Sequence, residues 1–247
     1  MKKIGIVGGL AWGSTADYYR LLCEKTNRHF EAEGCLPPLP TPHMLIESVN
    51  MSETRRLRGR MGDEESWKQY DKFFSDTLNR LKSGGAEIGA IASNTPHMRL
   101  HSFIDDTELP VVSILDSTVD AVIAIGKPYA LVLGTSVTME SDVYISALSG
   151  RGISPITDIP SEEVERLERL INVDLYQNKI EGAATEIVEL CRRLIGHRND
   201  VAVCLACTEL PLAFPEFADD AFFDVDGIQF VNTTVAHVEA ILESALS

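Results

Sequence analysis

Short apolar runs alternate with longer stretches of helical period along the chain, and that rhythm limits the possible folds more than any other feature. Residues 3–7, 44–48, 88–92, 111–114, 130–133, 153–156, 201–206 and 222–225 have strand character. Residues 14–33, 64–83, 96–103, 117–125, 140–149, 162–179, 181–195 and 234–246 space their apolar positions as helices do. Parallel strands need long crossovers, and helices between them supply these, so the pattern predicts an α/β fold with parallel-rich sheets. Ser14 and Ser117 suit helix N-caps, and Gly84-Gly85 suits a helix stop.

The rhythm also repeats. Ile6-Val7-Gly8-Gly9 matches Val132-Leu133-Gly134-Thr135, and Ser14 to Tyr19 is echoed by Glu140 to Tyr144. Later in each half come Ala92-Ser93-Asn94-Thr95 and Ala206-Cys207-Thr208-Glu209, each directly after a strand-like run. The shared order points to two similar doubly wound subdomains facing each other across a cleft. Ligands of open parallel sheets bind beyond the carboxyl ends of strands, and the matching segments at 8–9, 93–95, 134–135 and 207–209 fall at such ends.

Composition narrows the partners. With 45% hydrophobic and 24% charged residues in a chain of 247, a soluble protein with one large or two small cores is expected. A formal charge of −15 argues against nucleic acid, which needs a basic face, and makes an anionic substrate depend on local positive groups. No apolar run is long enough to span a membrane, and the apolar stretch after Met1-Lys2-Lys3 is too short for a signal peptide, so a cytoplasmic protein is expected. The scattered Cys23, Cys35, Cys191, Cys204 and Cys207 fit a reducing compartment, and no ligands at zinc spacing surround Cys204 and Cys207. Strand alternation buries Cys204 as a small apolar residue.

Several segments carry chemistry. Residues 8–15 approach a P-loop, but Ser14 stands where its lysine belongs, which leaves a glycine turn whose backbone N–H groups suit a carboxylate or simply permit tight packing. Ser93-Asn94-Thr95-Pro96-His97 sets more polar groups after a buried strand than capping needs, so it reads as ligand-facing, with His97 behind it. Cys207 is expected at a helix N-terminus, whose dipole favours the thiolate, a base able to take a carbon-bound proton. The basic run Arg55-Arg56-Leu57-Arg58-Gly59-Arg60 reads as a loop able to clamp a carboxylate, or as a solvated loop balancing Asp63-Glu64-Glu65. Trp67 and Tyr70 share a helix face and read as core.

With these motifs in their order, the chain resembles the cofactor-independent aspartate/glutamate racemase family. The resemblance runs from Gly8–Thr15 through Ser48-Val49-Asn50, Asn94-Thr95-Pro96-His97, Gly134-Thr135 with Thr138-Met139, and Cys207-Thr208-Glu209-Leu210-Pro211, to Asn232-Thr233-Thr234 with His237. It implies subdomains of residues 1–114 plus 226–247 and of 115–225, usually in a homodimer. It implies an isomerase that needs neither pyridoxal phosphate nor metal, in which two opposed cysteines remove and return the α-proton of an acidic amino acid. Asn94, Thr95, Thr135 and Thr208 match positions that hold the substrate's amino and carboxylate groups. Gly9, Glu209, Arg55 and Arg58 join them as candidate substrate contacts, with His97 supporting.

The departures matter. Ser93 stands where the family has its first cysteine, and a hydroxyl is too weak an acid to rest as an anion at neutral pH. It can still relay a proton from water or His97, so Cys207 is expected to attack the L-amino acid, with D to L conversion slow. Asn232 replaces an aspartate and Gly13 a glutamate. Similar proteins with one catalytic cysteine decarboxylate malonates, which leaves a decarboxylase or isomerase of a related dicarboxylic acid as an alternative, alongside a non-catalytic amino-acid-binding homologue.

Overall fold

Gly5 and Gly8 bring strand and helix close at the start of the chain: a Cβ on Gly8 would meet Thr15 Cγ2 at 2.5 Å. In the computed structural model, which describes residues 1–177 and 179–247, this first strand, β1 (Ile4–Gly8), leads into α1 (Trp12–Ala32) and β2 (Met44–Ser48). Then follow α2 (Met51–Leu57), α3 (Glu64–Ser83), β3 (Ile88–Ile91) and the short helices α4 (Asn94–His97) and α5 (Leu100–Phe103). The next half holds α6 (Ile114–Ile125), β4 (Tyr129–Leu133), α7 (Ser136–Met139), α8 (Asp142–Ser149), β5 (Ser154–Ile156), α9 (Ser161–Arg169) and α10 (Ala183–Ile195). It closes with β6 (Val201–Leu205), β7 (Phe222–Val225), β8 (Ile228–Asn232) and α11 (Thr233–Leu246).

The chain divides into one unit of Met1–Ser113 with His237–Ser247 and a second of Ile114–Ala236. In the first the strand order is β2-β1-β3, all parallel; in the second it is β5-β4-β6-β8-β7, parallel except for β7. The leading strand of each unit therefore sits between its two successors, and the order reverses beside it. That reversal opens a crevice at the strand ends between β1 and β3, and again between β4 and β6. The same order in both units is what a duplicated half predicts.

Each sheet is covered by its crossovers. Phe74 and Leu78 of α3 lie with Val7 and Ile91 in the first core, and Phe74 stacks on Phe103 at 5.9 Å. In the second unit Ile187, Leu190 and Cys191 of α10 pack with Leu131, Val203 and Phe230, while Val119 and Val122 of α6 cover Ala130 and Ala202 from another cluster. Among the described residues no helix is long and apolar enough to cross a membrane.

Several expectations need correction. The return to the first unit falls at His237, not at residue 226, because β8 pairs with β6 and stays in the second unit. Residues 111–114 give only a bridge between Val111 and Gly89, and the helix that follows starts at Ile114, so Ser117 lies inside it and bonds the Ile114 carbonyl. Ser14 is likewise inside α1, whose cap is Ala11. The helix expected over 162–179 ends at Arg169 and passes into a π turn over Leu170–Asp174; position 178 lies outside the described residues.

Candidate active site

Beyond β1, Gly9 takes a left-handed turn with φ of 78°, and a Cβ there would lie 2.2 Å from the Val49 carbonyl. Only glycine fits, because the turn is wedged against the end of β2. The Gly9 N–H donates to Thr15 Oγ1 at 2.7 Å, so this amide is spent inside the turn rather than aimed at a carboxylate. Trp12, 77% exposed, stands at the same corner.

Beyond β3, Ser93 is half-buried in an extended conformation, and its hydroxyl makes no capping bond to α4. Asn94 and Thr95 follow, both buried. His97 turns back so that Nδ1 meets the Ser93 carbonyl at 2.8 Å. Burial lowers the His97 pKa to about 4, so the ring is neutral at physiological pH. Its one N–H is committed to the Ser93 carbonyl, which removes it as a relay to the Ser93 hydroxyl. Arg99, which sequence reasoning missed, anchors this segment to α3 through a two-point contact with Asp71 at 2.7 and 3.2 Å and a third bond to Glu64 at 2.8 Å. Its guanidinium also lies over the Trp67 ring.

The basic run is not one loop. Arg55 and Arg56 occupy the last turn of α2, both exposed, and Asn50 caps that helix by accepting the Ser52 N–H. Arg58 is half-buried against Tyr70, with its Nε enclosed and without a hydrogen-bond partner among the described residues. The stretch beyond is pinned to α3: Arg60 N–H donates to Ser66 Oγ, and Trp67 Nε1 donates to the Arg60 carbonyl. Arg55 is thus exposed at the end of α2, whereas Arg58 packs against Tyr70. Trp67 and Tyr70 are buried core.

In the second unit Gly134 lets β4 and β6 converge, since a Cβ would lie 2.9 Å from the Ala206 carbonyl. Thr135 follows, half-buried, its hydroxyl 3.3 Å from that of Thr138. A cavity of about 280 Å³ lies at the ends of β4 and β5, with Val132, Thr138, Met139, Tyr144 and Ile156 in its lining. Glu140 is the only lining carboxylate, and no Lys, Arg or His lines it among the described residues.

Beyond β6, Cys207 is 7% exposed, and its thiol donates to Glu209 Oε2 at 3.1 Å. Thr208 donates its hydroxyl to the same oxygen at 3.2 Å. The segment that follows is a short 3₁₀ turn, Leu210–Ala213, so in place of the α-helix expected to start at Cys207 the thiol meets a hydrogen-bonding carboxylate. Cys204 faces the opposite core, and burial pushes its thiol up to about 12, as befits a structural residue. Asn232 Oδ1 accepts from the Thr234 and Val235 N–H groups and so caps α11. Space is open where a side chain on Gly13 would project.

The candidate residues thus gather at the order-reversal crevice of each unit: Gly9 with Ser93, Asn94 and Thr95 in one, Thr135 with Cys207, Thr208 and Glu209 in the other. An aspartate racemase homologue from Pyrococcus horikoshii OT3 superposes with a TM-score of 0.75 at 28% identity, over 100% of both chains. The aspartate racemase of Picrophilus torridus shares the fold, with a TM-score of 0.69 at 21% identity over 99% of this chain and 94% of that one. RacX of Bacillus subtilis (strain 168), a broad specificity amino-acid racemase, is 26% identical over 149 residues, which is 60% of this chain and 61% of that relative. The Asp/Glu/Hydantoin racemase family matches residues 7–241, and the chain belongs to that family.

Proposed function

We propose that the protein racemises an amino acid by moving the α-proton directly, without pyridoxal phosphate or metal, with Cys207 as the base. The observation that supports this most is the Cys207 thiol hydrogen-bonded to the buried Glu209 carboxylate at a sheet-reversal crevice. Glu209 takes the thiol proton, and the thiolate then takes the α-proton of the L-amino acid. Asn94, Thr95, Thr135 and Thr208 hold its amino and carboxylate groups. The resulting carbanion is a far stronger base than an alkoxide, so Ser93 can deliver its hydroxyl proton to the other face and recover one from water, while the proton held by Glu209 returns to solvent. The reaction is that of a cytoplasmic homodimer acting on L-aspartate or L-glutamate, with Arg55 on the side-chain carboxylate.

One constraint refines the expected slowness of D to L conversion. Enantiomers have equal free energy, so kcat/KM must be the same in both directions. The weakness of Ser93 therefore shows as α-proton wash-out into recovered L substrate that outruns conversion to D. Neutral amino acids form a second reading, favoured by the cavity beside Thr138, whose lining lacks a cation among the described residues.

Incubation in D2O with L-aspartate, L-glutamate and a panel of neutral L-amino acids tests the reading. Deuterium at Cα, abolished by Cys207→Ala, is expected. Carbon dioxide released from a malonate would replace this reading with a single-cysteine decarboxylase, and tight binding without exchange would replace it with an amino-acid-binding homologue.

A further inference from the structure

We propose that Tyr18 and His237 are positioning residues that fix His97 and, through it, the Ser93 corner. This rests on the reading above, in which Ser93 works on the substrate. His237 reaches the Val112 carbonyl with Nε2 at 2.9 Å and the Tyr18 hydroxyl with Nδ1 at 2.7 Å. A carbonyl only accepts, so the His237 proton sits on Nε2, and Nδ1 accepts from Tyr18. The same logic places the His97 proton on Nδ1, facing the Ser93 carbonyl. The two rings meet edge to face at 5.5 Å and 87°, and both are almost fully buried.

His97 Nε2 is then a buried lone pair with no hydrogen-bond partner among the described residues. Such an atom is unfavourable and persists only where its surroundings leave the ring no other orientation. The His237 ring is the part of those surroundings that α11 supplies, and Tyr18 of α1 holds it. The outcome falls on Ser93. Its N–H donates to the Ile91 carbonyl at 2.8 Å and its own carbonyl is held by His97, so both backbone polar groups are tethered. With the backbone fixed, the Ser93 hydroxyl oxygen has one torsion left with which to face the reacting carbon. Burial lowers both histidine pKa values, which keeps this donor pattern unchanged across neutral pH.

The test compares two rates in D2O: conversion of L to D, which uses Ser93, and α-proton wash-out into recovered L, which uses Cys207. Tyr18→Phe keeps the ring and removes only the hydroxyl donor; it should lower conversion about 3- to 10-fold with wash-out within about twofold and KM unchanged. His97→Leu should lower conversion at least about 10-fold, and His97→Asn, whose amide can offer an N–H to the Ser93 carbonyl, should restore most of it. Parallel loss of both rates, or no loss, overturns the positioning role. If the wild-type protein washes out no α-proton from any amino acid, the racemase reading itself fails. Imidazole nitrogen NMR reads the tautomers independently of activity: protons on His97 Nδ1 and His237 Nε2 are expected, and the reverse at either ring overturns the inference.

Discussion

Glu209 is the residue whose contacts were least visible in the sequence, where it stood only as one candidate substrate contact after Cys207. Its carboxylate accepts from both the Cys207 thiol and the Thr208 hydroxyl, which places it to accept a proton as well as to hold one. Glu209→Gln keeps the shape and a hydrogen-bond acceptor but cannot take the proton. It should slow α-proton exchange by about 10²- to 10⁴-fold at unchanged thermal stability; exchange at the wild-type rate would remove Glu209 from the chemistry. The two arginines separate in the same way. Arg55→Ala should raise KM for a dicarboxylic substrate about 10-fold, while leaving KM for a neutral amino acid alone. Equal effects on both substrates would end the clamp idea. The placement of Cys207 and Ser93 beyond strand ends was legible because each follows an apolar strand run. The Arg99–Asp71 contact was not, because nothing local signals a bond between residues 28 positions apart.

At the scale of elements, α3 was fully readable. Asp63 caps its start by accepting the Ser66 N–H, Gly84 ends it, and both signals are local. Helix α2 was hidden by its charge, since Arg55 and Arg56 suggested an open loop. Strand β8 was missed although its cue was present. Asp226-Gly227, both with positive φ, form a two-residue turn between Val225 and Ile228, a strong hairpin signal. The link between α3 and the Ser93 segment is a mostly buried ion pair, and removing one partner strands the other. Arg99→Ala should therefore cost about 3–5 kcal/mol in denaturant unfolding, whereas Glu64→Ala, at an exposed carboxylate, should cost less than about 1 kcal/mol. Similar losses for the two would mean that Asp71 is not the partner that matters.

His97 of α4 and His237 of α11, whose rings meet, give the contact between those helices a pH signature. Burial lowers His97 to about 4 and His237 to about 3 from the ordinary value of 6.5. The folded protein thus excludes protons that the unfolded chain binds. Stability is complete above pH 6.5 and declines as pH falls toward 4 and then 3. Each ring contributes a slope of up to about 1.4 kcal/mol per pH unit. Urea midpoints should fall from pH 7 to pH 5, and His97→Asn should flatten the decline. A flat wild-type profile over that interval would contradict the buried neutral state.

Across the whole molecule, a repeated strand order explains why the fold class could be read ahead of structure. Strand orders β2-β1-β3 and β5-β4-β6 are the same arrangement written twice, and each ends its leading and third strands in candidate site residues. Fold class and the paired corners were legible because they depend on local pattern and order. The domain boundary was not, since it depends on β8 choosing β6, a contact that no short window of sequence contains. The central claim is that a thiol and a hydroxyl, one from each half, serve one carbon. Ser93→Ala in D2O tests it most directly. The account predicts that the variant still places deuterium at Cα of recovered L substrate while forming almost no D product; conversion to D at the wild-type rate would contradict it.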